Sequence, residues 1–165
     1  KELVSLRDRG GRLFIIGLGG SAANASHAVN DMRKLCGIEA ICPLDNVAEL
    51  TARANDEGWN MMLWDSMIAS RLNTSDAILI LSVGGGTFTV SVPITTVTGL
   101  ATDSGVPIFG IVGKQYGATQ EKSKICIVVP VDVSARVTPH TEGWQSVILH
   151  CIVSHPDLQR KPTKW

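Results

Sequence analysis

Residues 17–31, GLGGSAANASHAVND, place a glycine-rich turn directly before side chains that can bind metal or move protons. Glycines let backbone N–H groups approach an anion closely, and the amino end of a helix adds partial positive charge. His27 and Asp31 lie four residues apart and therefore share one face if the segment is helical. An imidazole and a carboxylate at that spacing are suitable ligands for one divalent metal. The pattern predicts an anion-binding turn followed by part of a metal site.

Two further candidate ligands, Glu142 and His150, lie near the carboxyl end of the chain, with His140 close by. Together with His27 and Asp31 they make four potential metal ligands on two predicted helices. On a straight helix the eight residues from Glu142 to His150 rise about 12 Å. Both can therefore reach one metal only if Glu142 lies in a bent or frayed first turn, or comes from another subunit.

A second glycine-rich turn, SVGGGT at residues 82–87, follows another apolar run. In a parallel α/β sheet, ligands bind beyond the carboxyl ends of the strands, and both glycine turns lie there. The hydroxyl groups of Ser21, Ser82 and Thr87 can add donors to the backbone N–H groups. Two such turns on one rim favour a phosphate site over turns that serve only to reverse the chain.

A dinucleotide site is the alternative interpretation of the first turn. Residues 17–22, Gly-Leu-Gly-Gly-Ser-Ala, fit the G-x-G-x-x-G/A fingerprint, and Asp45 lies past the second apolar run, where a ribose-binding acid would be expected. That interpretation leaves SVGGGT, His27 and Asp31 without a role.

Alternating strands and helices are predicted to position these residues. Short apolar runs predict five strands, at residues 12–17, 39–43, 77–82, 107–112 and 125–129. Helical patterns occupy residues 21–35 with Ser21 as the cap, 46–54, 59–72, and a last segment from Thr138-Pro139 to Ser154.

One segment gives conflicting signals. TFTVSVPITTVTGL, residues 87–100, is rich in β-branched residues and favours a strand by propensity. It lies between two runs that are apolar throughout and hence parallel, and a parallel pair needs a crossover that is usually helical. Topology therefore predicts a helix over 91–103. Together the predicted elements make five βα units, which form a five-stranded, doubly wound parallel sheet with helices on both faces. The predicted fold class is therefore an α/β three-layer sandwich.

Composition narrows the class of partner. The 165 residues are 44% hydrophobic, enough for one domain with a core, which we expect over residues 1–165. Fifteen basic and fifteen acidic side chains balance without a like-charge block, so we expect neither nucleic acid nor an anionic membrane as a partner. Apolar stretches stay far below the roughly 20 residues of a membrane span, and no signal peptide is apparent. The four cysteines form no C-x-x-C pair and predict buried thiols of a reducing compartment rather than disulfides: Cys36, Cys42, Cys126 and Cys151.

Four motifs, taken in order, resemble the sugar isomerase (SIS) domain family, on its phosphoheptose isomerase side. They are GLGGSAANASHAVND (17–31), ANDEGW (54–59), SVGGGT (82–87) and RVTPHTEGWQSVILHCIVSHP (136–156). The resemblance covers essentially the whole chain and implies an SIS fold of the flavodoxin-like, doubly wound type, with a first helix of that family truncated upstream of Lys1. It also implies a cytoplasmic homotetramer with one Zn²⁺ per active site and active sites near subunit boundaries.

The resemblance further implies an activity and roles for single residues. The activity is conversion of sedoheptulose 7-phosphate to glycero-manno-heptose 7-phosphate through an enediol, which needs a base, an acid and a group that stabilises the oxyanion. The implied catalytic residues are Asp31, His150 and Asp56. The implied metal ligands are His27, Asp31, Glu142 and His150. The implied substrate- and phosphate-binding residues are Gly19, Gly20, Ser21, Asn24, Ser82, Gly84, Gly85 and Thr87.

The chain also departs from the family pattern in both glycine turns and in two ligands. In the glycine turns, this chain has Leu18 where the family has a polar Asn, and Val83, Gly84 and Gly86 where the family has other side chains. Among the ligands, it has Asp31 where the family has Glu, and Glu142 where the family has Gln. Fewer hydroxyls remain for phosphate, and one more negative charge is present. A different phosphorylated sugar therefore stays open as the substrate. So does a non-catalytic SIS module that senses a sugar phosphate or binds a protein.

Overall fold

The structure is a computed structural model that describes residues 1–164. Within this range five strands form one sheet in the order β2-β1-β3-β4-β5, and every neighbouring pair is parallel. The strands are β1 (Leu13–Ile16), β2 (Ala40–Ile41), β3 (Ala77–Ser82), β4 (Ile108–Val112) and β5 (Ile125–Val128). The helices are α1 (Glu2–Asp8), α2 (Gly20–Cys36), α3 (Val47–Asp56), α4 (Met62–Ala69), α5 (Val92–Asp103), α6 (Ala118–Lys122) and α7 (Val137–Val153).

The sheet separates two apolar layers because successive strand residues point to opposite faces. On one face, α1, α2 and α7 pack against residues that include Ile15 and Leu79. On the other, α4 and α5 pack against residues that include Ile16 and Ile80, and Leu50 of α3 joins this layer. Every residue of β1 and β3 is buried, as expected of central strands covered on both faces. This arrangement confirms the predicted three-layer α/β class.

The strand order brings the two glycine turns together. β1 and β3 are neighbours although they are not consecutive, and Ile16 at the carboxyl end of β1 pairs with Ile80 in β3. The turns at residues 17–21 and 82–87 therefore leave adjacent strands on the same rim of the sheet. In doubly wound folds this rim is where ligands bind.

The segment with conflicting signals is helical from Val92 onward, as topology predicts, and forms α5. Pro93 lies in its first turn, where proline is tolerated. The Thr98 hydroxyl donates to the Ile94 carbonyl at 2.6 Å, and the Thr102 hydroxyl donates to the Thr98 carbonyl at 2.7 Å. Back-bonding of this kind satisfies threonine hydroxyls inside a helix, so β-branched residues fit here despite their strand propensity.

Several local predictions are wrong. α1 and α6 are short helices that the sequence patterns do not indicate, and the helix expected over 59–72 is limited to α4. Ser21 does not cap α2: the N-cap is Gly19 at φ 62°, without a side-chain cap bond. A positive φ suits glycine, which explains why this glycine precedes the helix. The four cysteines are free thiols, as predicted, but only Cys36 and Cys42 are buried; Cys126 is half-buried and Cys151 is exposed, so the prediction that all four are buried is wrong. No helix in residues 1–164 has both the length and the apolar character needed to cross a membrane.

Candidate active site

Helices α2 and α7 lie side by side in the same direction on one face of the sheet, and buried amides hold them together. Nδ2 of Asn24 donates to the Glu142 carbonyl at 2.8 Å and to Oε1 of Gln145 at 3.2 Å. Nε2 of Gln145 in turn donates to the Ile111 carbonyl of β4 at 3.3 Å, and the Gln145 side chain is fully buried. These bonds fix α7 against both α2 and the sheet. They therefore determine which side chains of α2 and α7 face each other further along the two helices.

His27, Asp31 and His150 meet one to two turns beyond those amides. Nε2 of His27 lies 3.1 Å from Nε2 of His150. Oδ2 of Asp31 lies 3.3 Å from Nε2 of His27 and 3.7 Å from Nε2 of His150. Oδ1 of Asp31 accepts a hydrogen bond from Nδ2 of Asn30 at 3.0 Å, which orients the carboxylate. Two imidazole nitrogens and one carboxylate oxygen therefore converge on one point.

This cluster has the donor set of a metal centre. Among residues 1–164, the potential ligand atoms of these three side chains lie within 4.8 Å of one another. Imidazole and carboxylate suit Zn²⁺ or a similar borderline ion, whereas Mg²⁺ prefers oxygen ligands. The His27 and His150 side chains are 52% and 54% exposed, so one side of the cluster is open. Three protein ligands with an open position are typical of a catalytic zinc site rather than a structural one.

The amino end of α2 offers an anion-binding cradle. The backbone N–H groups of Gly20 and Ser21 have no hydrogen-bond partner among the described residues. Oγ of Ser21 is buried and equally without a partner in this part of the chain. Buried hydroxyls are normally hydrogen-bonded, so unpaired donors gathered at a helix amino end indicate a place for an anion.

The second glycine turn is largely satisfied by its own contacts. Oγ of Ser82 accepts from the Gly85 N–H at 3.0 Å, and Oγ1 of Thr87 accepts from the Val90 N–H at 3.0 Å. Gly85 has a φ of 74°, and a β-carbon on it would lie 3.3 Å from Cα of Gly117. This turn therefore forms a fixed backbone wall beside the first, with two of its predicted phosphate-binding hydroxyls engaged within the turn.

Two predicted site residues lie apart from the histidine cluster. The Glu142 side chain rests against Gly20, at the glycine end of the paired helices: a β-carbon on Gly20 would lie 2.8 Å from Oε1 of Glu142. Asp56 ends α3, is exposed, and accepts a hydrogen bond from Nδ2 of Asn55 at 2.7 Å. α3 belongs to the layer on the opposite face of the sheet from α2 and α7.

The residue that the sequence analysis missed is Gln145. Buried side chains on α7 recur every four residues, and the fully or nearly fully buried series is Thr141, Gln145, Leu149 and Val153. A glutamine within such an apolar stripe is the signal that could have identified it, because a buried amide needs hydrogen-bond partners.

Comparison with known proteins agrees with this fold. The lincomycin biosynthesis protein LmbN of Streptomyces lincolnensis is 29% identical over 155 residues, which are 88% of this chain and 56% of that protein. The phosphoheptose isomerase of Roseiflexus is 27% identical over 142 residues, 83% of this chain and 70% of the relative. A phosphoheptose isomerase structure from Francisella tularensis superposes with a TM-score of 0.78 at 24% identity, covering 92% of this chain and 78% of that one. No family model matches the chain.

The parallel sheet and the paired glycine turns are shared in fold with phosphoheptose isomerase structures, which agrees with the resemblance to the sugar isomerase (SIS) domain family. The relatives compared with it include several phosphoheptose isomerases, and they support the predicted resemblance and the predicted enzyme class, an isomerase. The chain spans just over half of LmbN and 70% or more of the phosphoheptose isomerases compared with it.

Proposed function

We propose that the chain is a metal-assisted ketose–aldose isomerase of a phosphorylated heptose, converting sedoheptulose 7-phosphate to glycero-manno-heptose 7-phosphate through an enediol. The observation that supports this most is the convergence of three side chains: His27 and Asp31 of α2, the helix that begins at the anion cradle, and His150 of α7. The names of the relatives, phosphoheptose isomerase, supply the substrate class.

The separation of the two parts of the site suits a long phosphorylated sugar. His27 lies seven positions after Gly20 on α2, a rise of about 10 Å. A substrate with its phosphate in the cradle and its carbonyl at the histidine cluster therefore needs several carbons between the two groups. A heptose 7-phosphate meets this requirement, because its phosphate and its C1–C2 unit lie at opposite ends of the carbon chain.

The proposed roles follow from where each group lies. His27, Asp31 and His150 would hold Zn²⁺, which when bound polarises the substrate carbonyl. Asp31 and His150 flank the same point, so one can remove the proton from C1 and return a proton to C2. The other can give a proton to the carbonyl oxygen O2 and accept the proton of the O1 hydroxyl. The cradle of Gly19, Gly20 and Ser21 would bind the phosphate.

The remaining predicted groups fit the proposal in different ways. Asn24 contributes by holding α7 in place, since its amide donates to α7. Ser82, Gly84, Gly85 and Thr87 would form the wall of the phosphate site.

Assembly into a homotetramer is part of the proposal. Asp56, predicted to be catalytic, lies on a helix of the opposite face, so it would reach a histidine cluster only from another copy of the chain. Trp144 and Val147 are 53% and 47% exposed on α7, the helix that supplies His150. Exposed apolar side chains beside an open site are suitable for contact with a second copy. A cytoplasmic location is proposed with this assembly.

The activity can be tested directly with the metal-loaded protein. Sedoheptulose 7-phosphate is incubated with protein and Zn²⁺ in D₂O, and the products are followed by NMR. We expect an aldose 7-phosphate with deuterium at C2, because an enediol exchanges its carbon-bound proton with solvent through the base. Asp31→Asn should lower kcat by roughly 10²-fold or more, with little change in substrate binding.

A matched control separates catalysis from folding. Asp8→Asn removes a carboxylate from the end of α1, on the protein surface, and should retain wild-type turnover. Absence of aldose product from wild-type, metal-loaded protein that binds the sugar phosphate would favour the sensing module instead.

A further inference from the structure

The Glu142 side chain occupies an unusual position for a carboxylate that was expected to bind metal. A β-carbon built on Gly20 would lie 2.8 Å from Oε1 of Glu142 and nearer still to its Oε2 and Cδ. The Glu142 backbone is fixed there, because its carbonyl accepts a hydrogen bond from Nδ2 of Asn24 at 2.8 Å. Within residues 1–164, the carboxylate itself makes no hydrogen bond or ion pair. Its charge is therefore held at the amino end of α2 without a partner.

That end of α2 is otherwise built for an anion. The first turn contains no acidic residue, and the helix adds partial positive charge there. The N–H groups of Gly20 and Ser21 lack partners among the described residues, and so does the buried Oγ of Ser21. Glu142 thus brings a negative charge to the place where a phosphate would bring another.

We propose that Glu142 is a specificity-determining residue of this cradle, whose carboxylate opposes the binding of phosphate dianions at the amino end of α2. The inference rests on the proposed function of the cradle as the phosphate site. Like charges a few ångströms apart near a protein surface repel strongly, so the carboxylate should weaken phosphate binding by more than about tenfold. Free phosphate has no second anchor, whereas a sugar phosphate also reaches the cluster of His27, Asp31 and His150. The same repulsion acts on both ligands, so Glu142 would leave free phosphate unbound at concentrations where a sugar phosphate, held also at the histidine cluster, still binds.

The test compares the binding of inorganic phosphate to wild-type protein and to Glu142→Gln by calorimetry. The neutral amide keeps the shape of the side chain, and we expect it to tighten phosphate binding by about tenfold or more. Glu39→Gln is the matched control, because it removes one negative charge at the amino end of β2, on the other rim of the sheet, and should leave phosphate affinity unchanged. Zinc content should be equal in wild type and Glu142→Gln.

A second variant ties the effect to the contact with Gly20. The backbone of Gly20 is not in the left-handed region, so Gly20→Ala is tolerated and its methyl group displaces the carboxylate. In that background Glu142→Gln should change phosphate affinity by about threefold or less, since the two positions are coupled. An equal gain in both backgrounds would contradict the proposed location of the charge.

The remaining outcomes separate this inference from the proposed function. If Ser21→Ala weakens phosphate binding but Glu142→Gln does not strengthen it, the cradle is correct and the role of Glu142 is wrong. If Ser21→Ala has no effect, phosphate binds elsewhere and the phosphate site of the proposed function is wrong as well. Loss of zinc from Glu142→Gln would make Glu142 a metal ligand and overturn the inference. Failure of phosphate to bind any variant would also overturn it.

Discussion

Loss of one histidine from the cluster should remove most of the stabilisation that zinc gives to the fold. A ligand present at 100 times its Kd stabilises the native state by about 2.7 kcal/mol. For a chain of 165 residues, each kcal/mol raises Tm by about 2–4 °C, so wild-type protein should gain about 5–11 °C. His27 supplies one of three converging ligand atoms, with Nε2 3.1 Å from that of His150 and 3.3 Å from Oδ2 of Asp31.

The expected residual effect of zinc in His27→Ala follows from the same relation. Losing an outer partner of a metal site lowers affinity about 10–100-fold, and losing a direct ligand should cost at least the upper value. At the same zinc concentration the variant is then at most half saturated, which leaves about 0.4 kcal/mol of stabilisation. The corresponding shift in Tm is below about 2 °C.

Scanning calorimetry with and without Zn²⁺ measures both shifts, and His140→Ala is the matched control. His140 is an exposed histidine in the first turns of α7, outside the cluster of converging ligands. It should keep the full zinc-dependent rise in Tm. An equal rise in wild type and His27→Ala, or its loss in His140→Ala, would refute the placement of the metal.

Three further predictions concern the glycine wall, the core and the assembly. Gly85→Val should weaken the binding of sugar phosphate in calorimetry, because a side chain at φ 74° is strained and its β-carbon lies 3.3 Å from Cα of Gly117. If the variant instead binds NAD as tightly as wild type and neither protein binds sugar phosphates, the site is a dinucleotide site. Asp76→Asn should lower the free energy of unfolding by about 3 kcal/mol at pH 7, because it breaks the buried pair with Arg12 at 2.8 Å. Burial raises the pKa of Asp76, but hydrogen bonds from Arg12 and Asn73 outweigh burial and hold that pKa below the ordinary 3.8. The stabilisation by the Asp76 carboxylate is therefore complete above pH 3.8 and is lost as the pH falls through the lowered pKa of the folded state. Urea titrations of wild type and Asp76→Asn should accordingly give the same free energy of unfolding in acid. Light scattering should give a mass of four chains of 17.6 kDa, and a monomer at micromolar concentration would contradict the tetramer.

Much of the fold was predictable because its signals are local. The apolar runs are short and are bounded by polar residues, glycine or proline, so the presence of the five strands follows from the hydrophobic pattern alone. The helix over Val92–Asp103 needed one more step, since its threonines favour a strand and the parallel sheet requires a crossover. The short helices α1 and α6 were missed because seven and five residues are too few for a periodic pattern to emerge.

Some features of the candidate site also follow from local sequence, whereas others depend on how the helices pack in the tertiary structure. Spacing along one helix determines that His27 and Asp31 face the same side, and the glycines determine where an anion can approach backbone N–H groups. The rotation of α7 against α2 depends on partners distant in sequence: Gln145 must bond to Asn24 and to the Ile111 carbonyl. That rotation brings His150 to the histidine cluster and leaves Glu142, two turns earlier, at Gly20. Spacing along the chain cannot tell which of His150 and Glu142 faces the histidine cluster. The direction in which a helical residue points depends on the neighbours against which the buried face of its helix packs.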